Sequence, residues 1–387
     1  GFTAACALGA YWDIPWLMAG VICLALLGAL CMGLSLKIRH FRIGTAIFLG
    51  AAVGLLWFSV FSGFGLNVAR HADGKTLPVT IRASNYGYAT TYGSAVDGEV
   101  TLAGKTYRVR AYLNEKRLLE PGQQVQGHFR LRLTTGGEEE PVYHRGNGIF
   151  LLAYQDGEVN YLESTTLNLW ERISVWRQKI VTILDDAFPD DAQGFARALL
   201  LGDRTEIDYE TETNFKSSGI IHIIAVSGLH VTVLFGLIYL ITGKRRLLTV
   251  LLGLPALFLF AALASFTPSI TRACIMQAVL MAAMLFGKEY DPMTSLAFAA
   301  LTMLTVNPMV ITSVSFQLSA GCMAGIFLFG QPLRLWFMDE KRLGRWKGRF
   351  TNWLASSVSI TLSATVFTAP LTAIHFGTVS LVGVLTN

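Results

Sequence analysis

The run IGTAIFLGAAVGLLWFSVFSGFGL, residues 43–66, extends for 24 residues without a charged side chain. A helix crosses the hydrocarbon core of a bilayer with about 20 apolar residues, so this run is long enough to span a membrane. The whole chain is 52% hydrophobic and only 15% charged, whereas soluble domains carry about 25% charged residues. The sequence therefore predicts a polytopic α-helical membrane protein.

Further apolar runs along the chain have the length and composition of membrane spans. They are residues 15–36, 220–242, 247–266, 268–287, 292–306, 309–330 and 352–369. Incomplete apolar runs stand at both ends, at residues 1–11 and 376–387, and lead us to expect a fragment of a longer protein.

Lysine and arginine residues in the short loops predict the orientation of the spans, because loops rich in them stay in the cytoplasm. They occur in four loops separated by even numbers of spans, so all four loops can lie on one side. These loops lie at residues 37–42, 244–246, 288 and 334–349. Segment 67–219 is then predicted to lie outside the cytoplasm. Its first part, residues 67–165, contains 11 basic and 11 acidic residues, so the net charge of +5 reflects orientation rather than a surface for polyanions.

Residues 77–162 alternate apolar with polar side chains, which is the period-two pattern of half-buried strands. Ala103-Gly104 is a candidate hairpin turn within this segment. Adding the runs 148–154 and 158–162 gives five or six strands, for which a small closed antiparallel barrel of the OB-like kind is the economical arrangement. We therefore predict a helical membrane protein with an extracytoplasmic β-barrel inserted between its spans.

Residues 167–188 change to a helical period, with charged residues beside an apolar stripe. The stripe consists of Trp170, Ile173, Trp176, Ile180 and Leu184. Tryptophans on such a stripe suit the membrane interface. The same stripe would also suit packing against the barrel or against neighbouring spans, and both interpretations stay open.

Polar side chains within the apolar runs are the candidates for function, because burying them in hydrocarbon is costly unless they face protein or water. They are His222, Ser227, His230, Ser269, Arg272, Gln277, Gln317, Ser319 and His375. Arg272 is the strongest single signal. It either lines a path or, being close to a predicted helix start, extends to the outer interface.

Ser227 and His230 stand three residues apart and would share a helix face, so they could form a nucleophile with its base. A working pair also needs an orienting group and oxyanion donors, and VSGLH is not a GxSxG nucleophile elbow. Close helix packing at Ser227 and Gly228, with His230 hydrogen-bonded across the interface, is the favoured interpretation. A role in a permeation path is compatible with it, and an intramembrane hydrolase is the least favoured function.

The sequence carries no sign of a metal site or a cofactor. All five cysteines lie in apolar runs without a close CxxC pair. Neither an HxHxDH cluster nor a GxxxxGK[ST] phosphate loop occurs. No metal, cofactor or enzymatic activity is therefore predicted for these residues.

A series of motifs in the second half of the chain resembles the signature of the ComEC competence-protein family. The motifs are LLLGDRTEI at 199–207, HIIAVSGLHV at 222–231, PSITRACIM at 268–276, Asp291, Asn307-Pro308 and SFQLS at 315–319. The outer barrel is similar to the OB-like domain of that family. Each motif alone is weak, but their order and spacing over most of the chain make the resemblance specific.

The resemblance implies a channel in the bacterial inner membrane that takes up single-stranded transforming DNA. Expected partners are single-stranded DNA, the lipid bilayer, competence proteins that deliver DNA, a cytoplasmic motor, and further copies of the chain in a homo-oligomer. The residues expected to form the path or its supporting interface are His222, Ser227, Gly228, His230, Pro268, Ser269, Arg272, Gln277, Asp291, Gln317 and Ser319. The family's metallo-β-lactamase-like nuclease module is absent from these residues.

Four domains follow from the patterns and the resemblance together. They are N-terminal transmembrane helices at 1–66, the OB-like barrel at 67–165, an interfacial helix with a linker at 166–219, and the competence-type helical domain at 220–387. Tyr86, Tyr88 and Tyr92 are candidates for stacking on DNA bases, or are core or rim residues of the barrel. The main alternative function is a transporter of a small solute or lipid, which would need a compact site near the bilayer centre.

Overall fold

The computed structural model describes residues 1–11, 17–35, 41–134, 141–163, 166–203, 207, 228–338 and 349–377. The chain forms two compact units. The barrel unit consists of Gly1–Lys179 with Leu301–Ser313, and the helical unit consists of Ile180–Ala300 with Val314–Asn387.

Apolar helices open the barrel unit. They are α1 (Phe2–Tyr11), α2 (Leu17–Ser35), α3 (Phe41–Val60), a π-helical turn (Phe61–Gly65) and α4 (Asn67–Ala72). Helix α1 approaches α3 closely because a glycine faces it: a Cβ atom on Gly54 would lie 2.7 Å from the carbonyl oxygen of Phe2. The barrel contacts the end of the π-helical turn through Tyr107, whose hydroxyl donates a hydrogen bond to the carbonyl oxygen of Gly65 at 2.8 Å.

Six strands form one sheet, and five of them close into a barrel, confirming the predicted OB-like insertion. They are β1 (Thr76–Ala83), β2 (Tyr88–Thr90), β3 (Gly93–Leu102), β4 (Lys105–Leu113), β5 (Gln124–Leu133) and β6 (Leu151–Leu162), with the short helix α5 (Pro141–Gly146) before β6. The order is β1-β5-β6-β4-β3-β2, and pairing of β1 with β3 closes the barrel, whereas β2 pairs with β3 only. Strands β4 and β6 run parallel, whereas the other pairs are antiparallel.

The hairpin between β3 and β4 turns at the predicted pair of residues. Leu102 pairs with Lys105, which leaves Ala103 and Gly104 as the turn. Their φ angles are 45° and 79°. Two-residue hairpin turns of the favoured kind need positive φ at both positions, so the turn prediction is confirmed with its physical reason.

The prediction of two separate strands at 148–154 and 158–162 is wrong, because β6 runs without interruption from Leu151 to Leu162. Gly157 adopts a φ of 98° within it. A register shift lies in the partner strand between Gly127 and Phe129. In the sequence Gly157 resembles a turn residue, but in the structure it lies at an irregularity within one long strand.

Alternate strand residues fill the barrel interior, as the period-two pattern predicts. The core includes Ile81, Val96, Val100, Val109, Phe129, Leu131 and Leu151, together with Met309 from the second half of the chain. Gly98 allows the barrel to close, because a Cβ atom there would lie 2.4 Å from the carbonyl oxygen of Arg82. A side chain at this position would force β3 away from β1.

Helices make up the helical unit. They are α7 (Asp190–Leu201), α8 (Gly228–Ile241), α9 (Arg246–Leu263), α10 (Pro268–Phe286), α12 (Val314–Phe337) and α13 (Arg349–Phe376). Two more helices, α6 (Leu169–Ala187) and α11 (Pro292–Val306), contribute residues to both units.

Within the described ranges, five helices are long and apolar enough to cross a membrane. They are Arg42–Gly65, Arg246–Leu263, Pro268–Phe286, Val314–Phe337 and Thr351–His375. Shorter apolar helices include Gly228–Ile241 and Pro292–Val306. The chain is a multi-pass membrane protein.

The span predicted at 309–330 is wrong in its bounds, because α12 begins at Val314 and ends at Phe337. The preceding residues, Pro308–Thr312, form a separate 3₁₀ turn. Asn307 caps this turn by accepting a hydrogen bond from the amide of Met309 at 3.0 Å. Met309 is drawn into the barrel core, so tertiary burial, and not membrane insertion, accounts for this apolar stretch.

Helix α6 is present as predicted, but its buried face differs from the predicted stripe. Val181 and Leu184 are buried, whereas Trp170 and Trp176 are exposed. Leu184 belongs to the predicted stripe and packs with Val181 and Leu201. Placement of the stripe at the membrane interface and its packing against neighbouring spans both stay predictions.

A buried ion pair fixes the start of α6 on the barrel. Glu171 is only 1% exposed and accepts hydrogen bonds from Arg82 Nε at 2.5 Å and Arg82 Nη2 at 2.8 Å. Asn168 and Glu171 also form a reciprocal capping box, with bonds of 2.7 and 2.9 Å. Burial alone would raise the pKa of the Glu171 carboxyl, but the hydrogen bonds and the charge of Arg82 outweigh it and lower that pKa.

Candidate functional site

Helix α10 carries most of the polar residues that the sequence singled out. Pro268 occupies its first turn, where the missing amide hydrogen costs nothing and the fixed φ suits the helix. Ser269, Arg272 and Gln277 follow along the same helix. This helix is also one of the five candidate spans.

Arg272 lies inside the protein and not at its surface. Its exposed fraction is 6%. The guanidinium Nε donates to Ser319 Oγ at 2.9 Å, and Nη1 lies 3.3 Å from Met276 Sδ. The expectation that this side chain extends to the outer interface is therefore wrong in this conformation, since helix packing and the Ser319 hydroxyl retain it.

Serine hydroxyls complete the surroundings of the guanidinium. Ser269 Oγ and Ser319 Oγ are 3.1 Å apart, so α10 and α12 are joined at this point by three polar groups. Among the described residues, no carboxylate forms an ion pair with Arg272. A buried guanidinium with neutral partners retains its full charge for an anion that replaces them.

The start of α8 brings a second motif against the same arginine. A Cβ atom on Gly228 would lie 3.6 Å from Ala273 Cβ and 3.8 Å from Arg272 Nη2. Gly228 thus faces α10, but an added Cβ atom would make only ordinary van der Waals contacts, so the predicted close packing at this glycine stays a prediction. His230 is half-buried on the same helix. His222 and Ser227 lie outside the described residues, so the Ser227–His230 pair stays a prediction.

Helix α12 connects the arginine to a third helix. Gln317, two residues before Ser319, accepts a 2.8 Å hydrogen bond at its Oε1 atom from His375 Nε2 on α13. Residues two apart point to different sides of a helix, so Ser319 reaches α10 while Gln317 reaches α13. The polar cluster therefore joins three membrane-spanning helices. We define it as Ser269, Arg272, Gln317, Ser319 and His375.

Gln277 lies further along α10 and is nearly as buried as Arg272, with 9% exposure. Within the described part of the chain, its amide Nε2 has no hydrogen-bond partner. Apolar residues surround this region, among them Met276, Leu296 and Ala299. Leaving a buried amide unsatisfied costs about 1–3 kcal/mol, so this group is a candidate for a contact that forms only in another state or with a ligand.

Asp291 is placed away from the polar cluster, at the exposed start of α11. Its carboxylate accepts hydrogen bonds from the Thr294 amide at 3.0 Å and the Met293 amide at 3.4 Å. The hydrogen bond from the Thr294 side chain and these amides lower the pKa of this carboxyl. Helix capping thus accounts for this motif residue.

The three tyrosines proposed as stacking candidates occupy different environments. Tyr92 is 92% exposed at the turn before β3, and Tyr88 lies on β2 with the Arg110 guanidinium 5.8 Å from its ring centre. Tyr86 is half-buried, and its pKa is raised by burial and by the charge of Glu120. Only Tyr88 belongs to a larger aromatic arrangement, which also includes residues that sequence reasoning missed.

Tyr112 and Tyr154 are those missed residues. Their rings stack with 5.1 Å between centres and an angle of 8° between planes. The alternation in KTYRVRAYL places Arg108, Arg110 and Tyr112 on one face of β4. The sequence could therefore have identified Tyr112, but not its partner, as a member of an aromatic pair. The pairing of Tyr112 with Tyr154 depends on strand register, which the sequence does not specify.

Comparison with protein families gives the second half of the chain an assignment. The model of the family described as Competence protein matches residues 199–387. This match covers the whole polar cluster, as well as Gly228, Gln277 and Asp291. We call residues 199–387 the competence domain after the family that they match.

Two curated relatives share parts of this chain. ComE operon protein 3 from Bacillus subtilis is 29% identical over 55% of this chain and 28% of its own length. Recombination protein 2 from Haemophilus influenzae is 22% identical over 97% of this chain and 47% of its own length. The chain therefore spans less than half the length of these relatives. No solved structure matches it.

Proposed function

We propose that this chain forms the membrane-conducting part of a DNA uptake machine, carrying single-stranded DNA across the bacterial inner membrane through its competence domain. The observation that supports this proposal is the buried guanidinium of Arg272. Among the described residues, it is held by neutral groups only. A DNA backbone offers one phosphate charge per nucleotide, and a guanidinium binds phosphate oxygens in a bidentate manner. Ser269 and Ser319 are neutral partners that such an oxygen can replace.

A conduit for a polyanion must bind its cargo strongly enough to admit it and weakly enough to release it. One intramembrane arginine with serine, glutamine and histidine neighbours meets both conditions better than a ring of cations, which would trap the strand. Small-solute transport would instead need a compact site that closes around a whole substrate.

The polar cluster is closed in this conformation, because Arg272 and Gln277 are both almost completely buried. Conduction therefore requires α10 to separate from α12, which breaks the contacts of Ser319 with Ser269 and Arg272. The unsatisfied amide of Gln277 gains a partner when water or a strand enters between these helices.

The basic loops support the proposed orientation, in which segment 67–219 lies outside the cytoplasm. The barrel then faces incoming DNA, while the loops rich in lysine and arginine face the cytoplasm. Proteins that deliver DNA on the outside and a motor on the inside are the partners this arrangement requires, and a homo-oligomer is compatible with it. No catalytic role is assigned to these residues.

The test is transformation together with uptake of labelled DNA in cells that carry the double substitution Arg272→Ala and Gln317→Ala. We expect uptake to fall at least tenfold, since hydrogen bonds to charged groups contribute about 1.5–3 kcal/mol each. The matched control is Thr271→Ala, which changes the half-buried neighbour of Arg272 on the same helix. Normal uptake at an unchanged protein level contradicts the proposed path. If deletion of the gene abolishes import of a small solute and leaves DNA uptake intact, the transporter alternative replaces it.

A further inference from the structure

The outer face of the barrel carries one continuous row of residues that cross-strand pairing brings together. Tyr88 pairs with Ala95, Ala95 with Tyr112, Tyr112 with Tyr154, and Tyr154 with Arg130. Paired residues on adjacent strands point to the same side of a sheet. The side chains next to them along the strands, such as those of Val96 and Leu113, fill the core. The row therefore lies on the outside of the barrel, and we call it the tyrosine row.

Aromatic and guanidinium planes lie close together along this row. The rings of Tyr112 and Tyr154 are stacked at 5.1 Å. The Arg110 guanidinium lies 5.8 Å from the ring centre of Tyr88. Arg110 is held in place by Asp97, to which it donates two hydrogen bonds of 2.6 and 2.9 Å. Ala95, which stands between Tyr88 and Tyr112 in the row, is completely buried.

We propose that the tyrosine row is a binding site for single-stranded DNA, whose bases stack against its rings. Base stacking on aromatic side chains is tolerant of sequence because every base has a π-face. Double-stranded DNA keeps its bases stacked on one another, so its π-faces are not available to these rings. The choice of DNA as the nucleic acid depends on the proposed function, whereas the preference for unpaired bases depends on the row alone.

The position of the row in the barrel supports this assignment. Strands β3 and β4 are the second and third strands of the closed barrel, and OB-folds bind oligonucleotides on the face of these two strands. The loop between the first and second barrel strands flanks the same face in OB-folds. In this chain the connection between those two strands includes β2, which carries Tyr88 of the tyrosine row.

The charges near the row indicate that stacking dominates the binding. Asp97 neutralises Arg110, so Arg130 at the end of the row is the cation on it that a phosphate can approach. Each phosphate contact to a single strand contributes a slope of about −0.7 to the dependence of log affinity on log salt. We therefore expect a slope between about −0.7 and −1.5, which is shallow for a DNA-binding protein.

The experiment measures binding of a fluorescent oligothymidylate of about 15 nucleotides, close to the largest site of one OB-fold, to the full chain in lipid nanodiscs. The test variant is Tyr112→Ala with Tyr154→Ala, and the matched control is Tyr112→Phe with Tyr154→Phe, which keeps the rings. We expect the alanine variant to lose affinity at least fivefold. The phenylalanine variant should stay within about twofold of the parent, since it preserves the stacking surface.

A second variant avoids a possible defect in barrel folding. Tyr88→Ala changes a partly exposed ring on the short edge strand β2, and it should also weaken binding, whereas Tyr92→Ala at the neighbouring turn should not. Parental affinity in both the double alanine variant and Tyr88→Ala overturns the proposal. So does equal loss in the alanine and phenylalanine variants, or equal affinity of the parent for a duplex of the same length.

The result separates this proposal from the proposed path through the helices. Oligonucleotide binding by the tyrosine variants tests the tyrosine row, and uptake of labelled DNA by the double substitution Arg272→Ala with Gln317→Ala tests the helical path. Normal uptake in that double variant, together with weakened oligonucleotide binding in Tyr112→Ala with Tyr154→Ala, makes the helical path wrong and leaves the tyrosine row standing. Parental oligonucleotide binding in the tyrosine variants overturns the row whatever the uptake result.

Discussion

The barrel and the membrane-spanning helices treat their buried charges in opposite ways. In the barrel unit, Arg82 pairs with Glu171 and Arg110 pairs with Asp97, each through two hydrogen bonds. In α10, Arg272 is buried with serine and methionine partners. Matched pairs are expected where a charge serves the fold, whereas a charge retained at a cost without an anionic partner is expected where it serves a ligand.

The largest stability effect is expected from breaking an ion pair of the barrel unit, that of Arg82 with Glu171. Arg82→Ala leaves the carboxylate of Glu171 buried without its partner, which should destabilise the barrel unit by about 2–3 kcal/mol. The value lies below that of a fully buried pair, because the Arg82 side chain is 31% exposed. Denaturant unfolding of the full chain measures it. Adding Glu171→Leu should recover most of the loss, and no recovery would show that the pair is not the cause.

On the helical side, a glycine contact supports the polar cluster. A Cβ atom on Gly325 of α12 would lie 2.5 Å from the carbonyl oxygen of Ser363 on α13, next to the helix pair that Gln317 and His375 connect. Gly325→Ala should destabilise this packing by about 1–2 kcal/mol. Gly236→Ala is the control, since nothing lies within 4 Å of its added Cβ atom. Thermal unfolding of both variants should rank Gly325→Ala clearly below Gly236→Ala, and equal unfolding temperatures would contradict the close contact.

Acid should loosen the barrel contact of α6. The folded-state pKa of Glu171 lies below its ordinary value, so the carboxylate stabilises the fold fully above its unfolded-state pKa. That stabilisation is lost as the pH falls through the lowered folded-state pKa. The protection factors of the α6 amides, which correct the hydrogen exchange for the pH dependence of the intrinsic rate, should therefore fall in acid in the parent. Glu171→Gln should show lower protection than the parent at neutral pH and a weaker dependence of protection on pH. Identical pH profiles would remove Glu171 as the cause.

The smallest effect is expected at Asp291, which belongs to the sequence motifs but caps a helix at an exposed position. Asp291→Ala should lower thermal stability slightly and leave DNA uptake unchanged, in contrast to the double substitution at Arg272 and Gln317. A strong uptake defect with normal stability would place Asp291 in the path and weaken the distinction between capping and cluster residues.

The sequence predicted the architecture of the protein better than it predicted the contacts between residues. Long uncharged runs and period-two alternation were enough for the spans and the barrel, because burial in lipid or in a barrel core leaves a local pattern. The bounds of the span predicted at 309–330 were wrong because the apolar residue Met309 packs in the barrel core. The buried face of α6 could not be predicted from its apolar residues because a polar residue, Glu171, lies on it. Both errors arise from tertiary contacts that no local pattern records.

The candidate site shows the same division. Arg272, Gln317 and Ser319 could be selected from the sequence, because polar residues in apolar runs are costly and conspicuous. That Ser319 meets Arg272 while Gln317 meets His375 depends on how α12 packs between two helices. The tyrosine row likewise depends on the parallel register of β4 and β6, which joins residues 42 positions apart, 112 to 154.

The most direct test of the central claim is photo-crosslinking during uptake of labelled DNA. A photo-reactive phenylalanine analogue replaces Gln277, which lies beside the polar cluster on α10, or Phe286, an exposed residue at the end of the same helix. If single-stranded DNA passes this cluster, position 277 forms a DNA adduct while uptake proceeds and position 286 does not. Absence of an adduct at 277 in cells that still take up DNA, or equal adducts at both positions, would contradict the account.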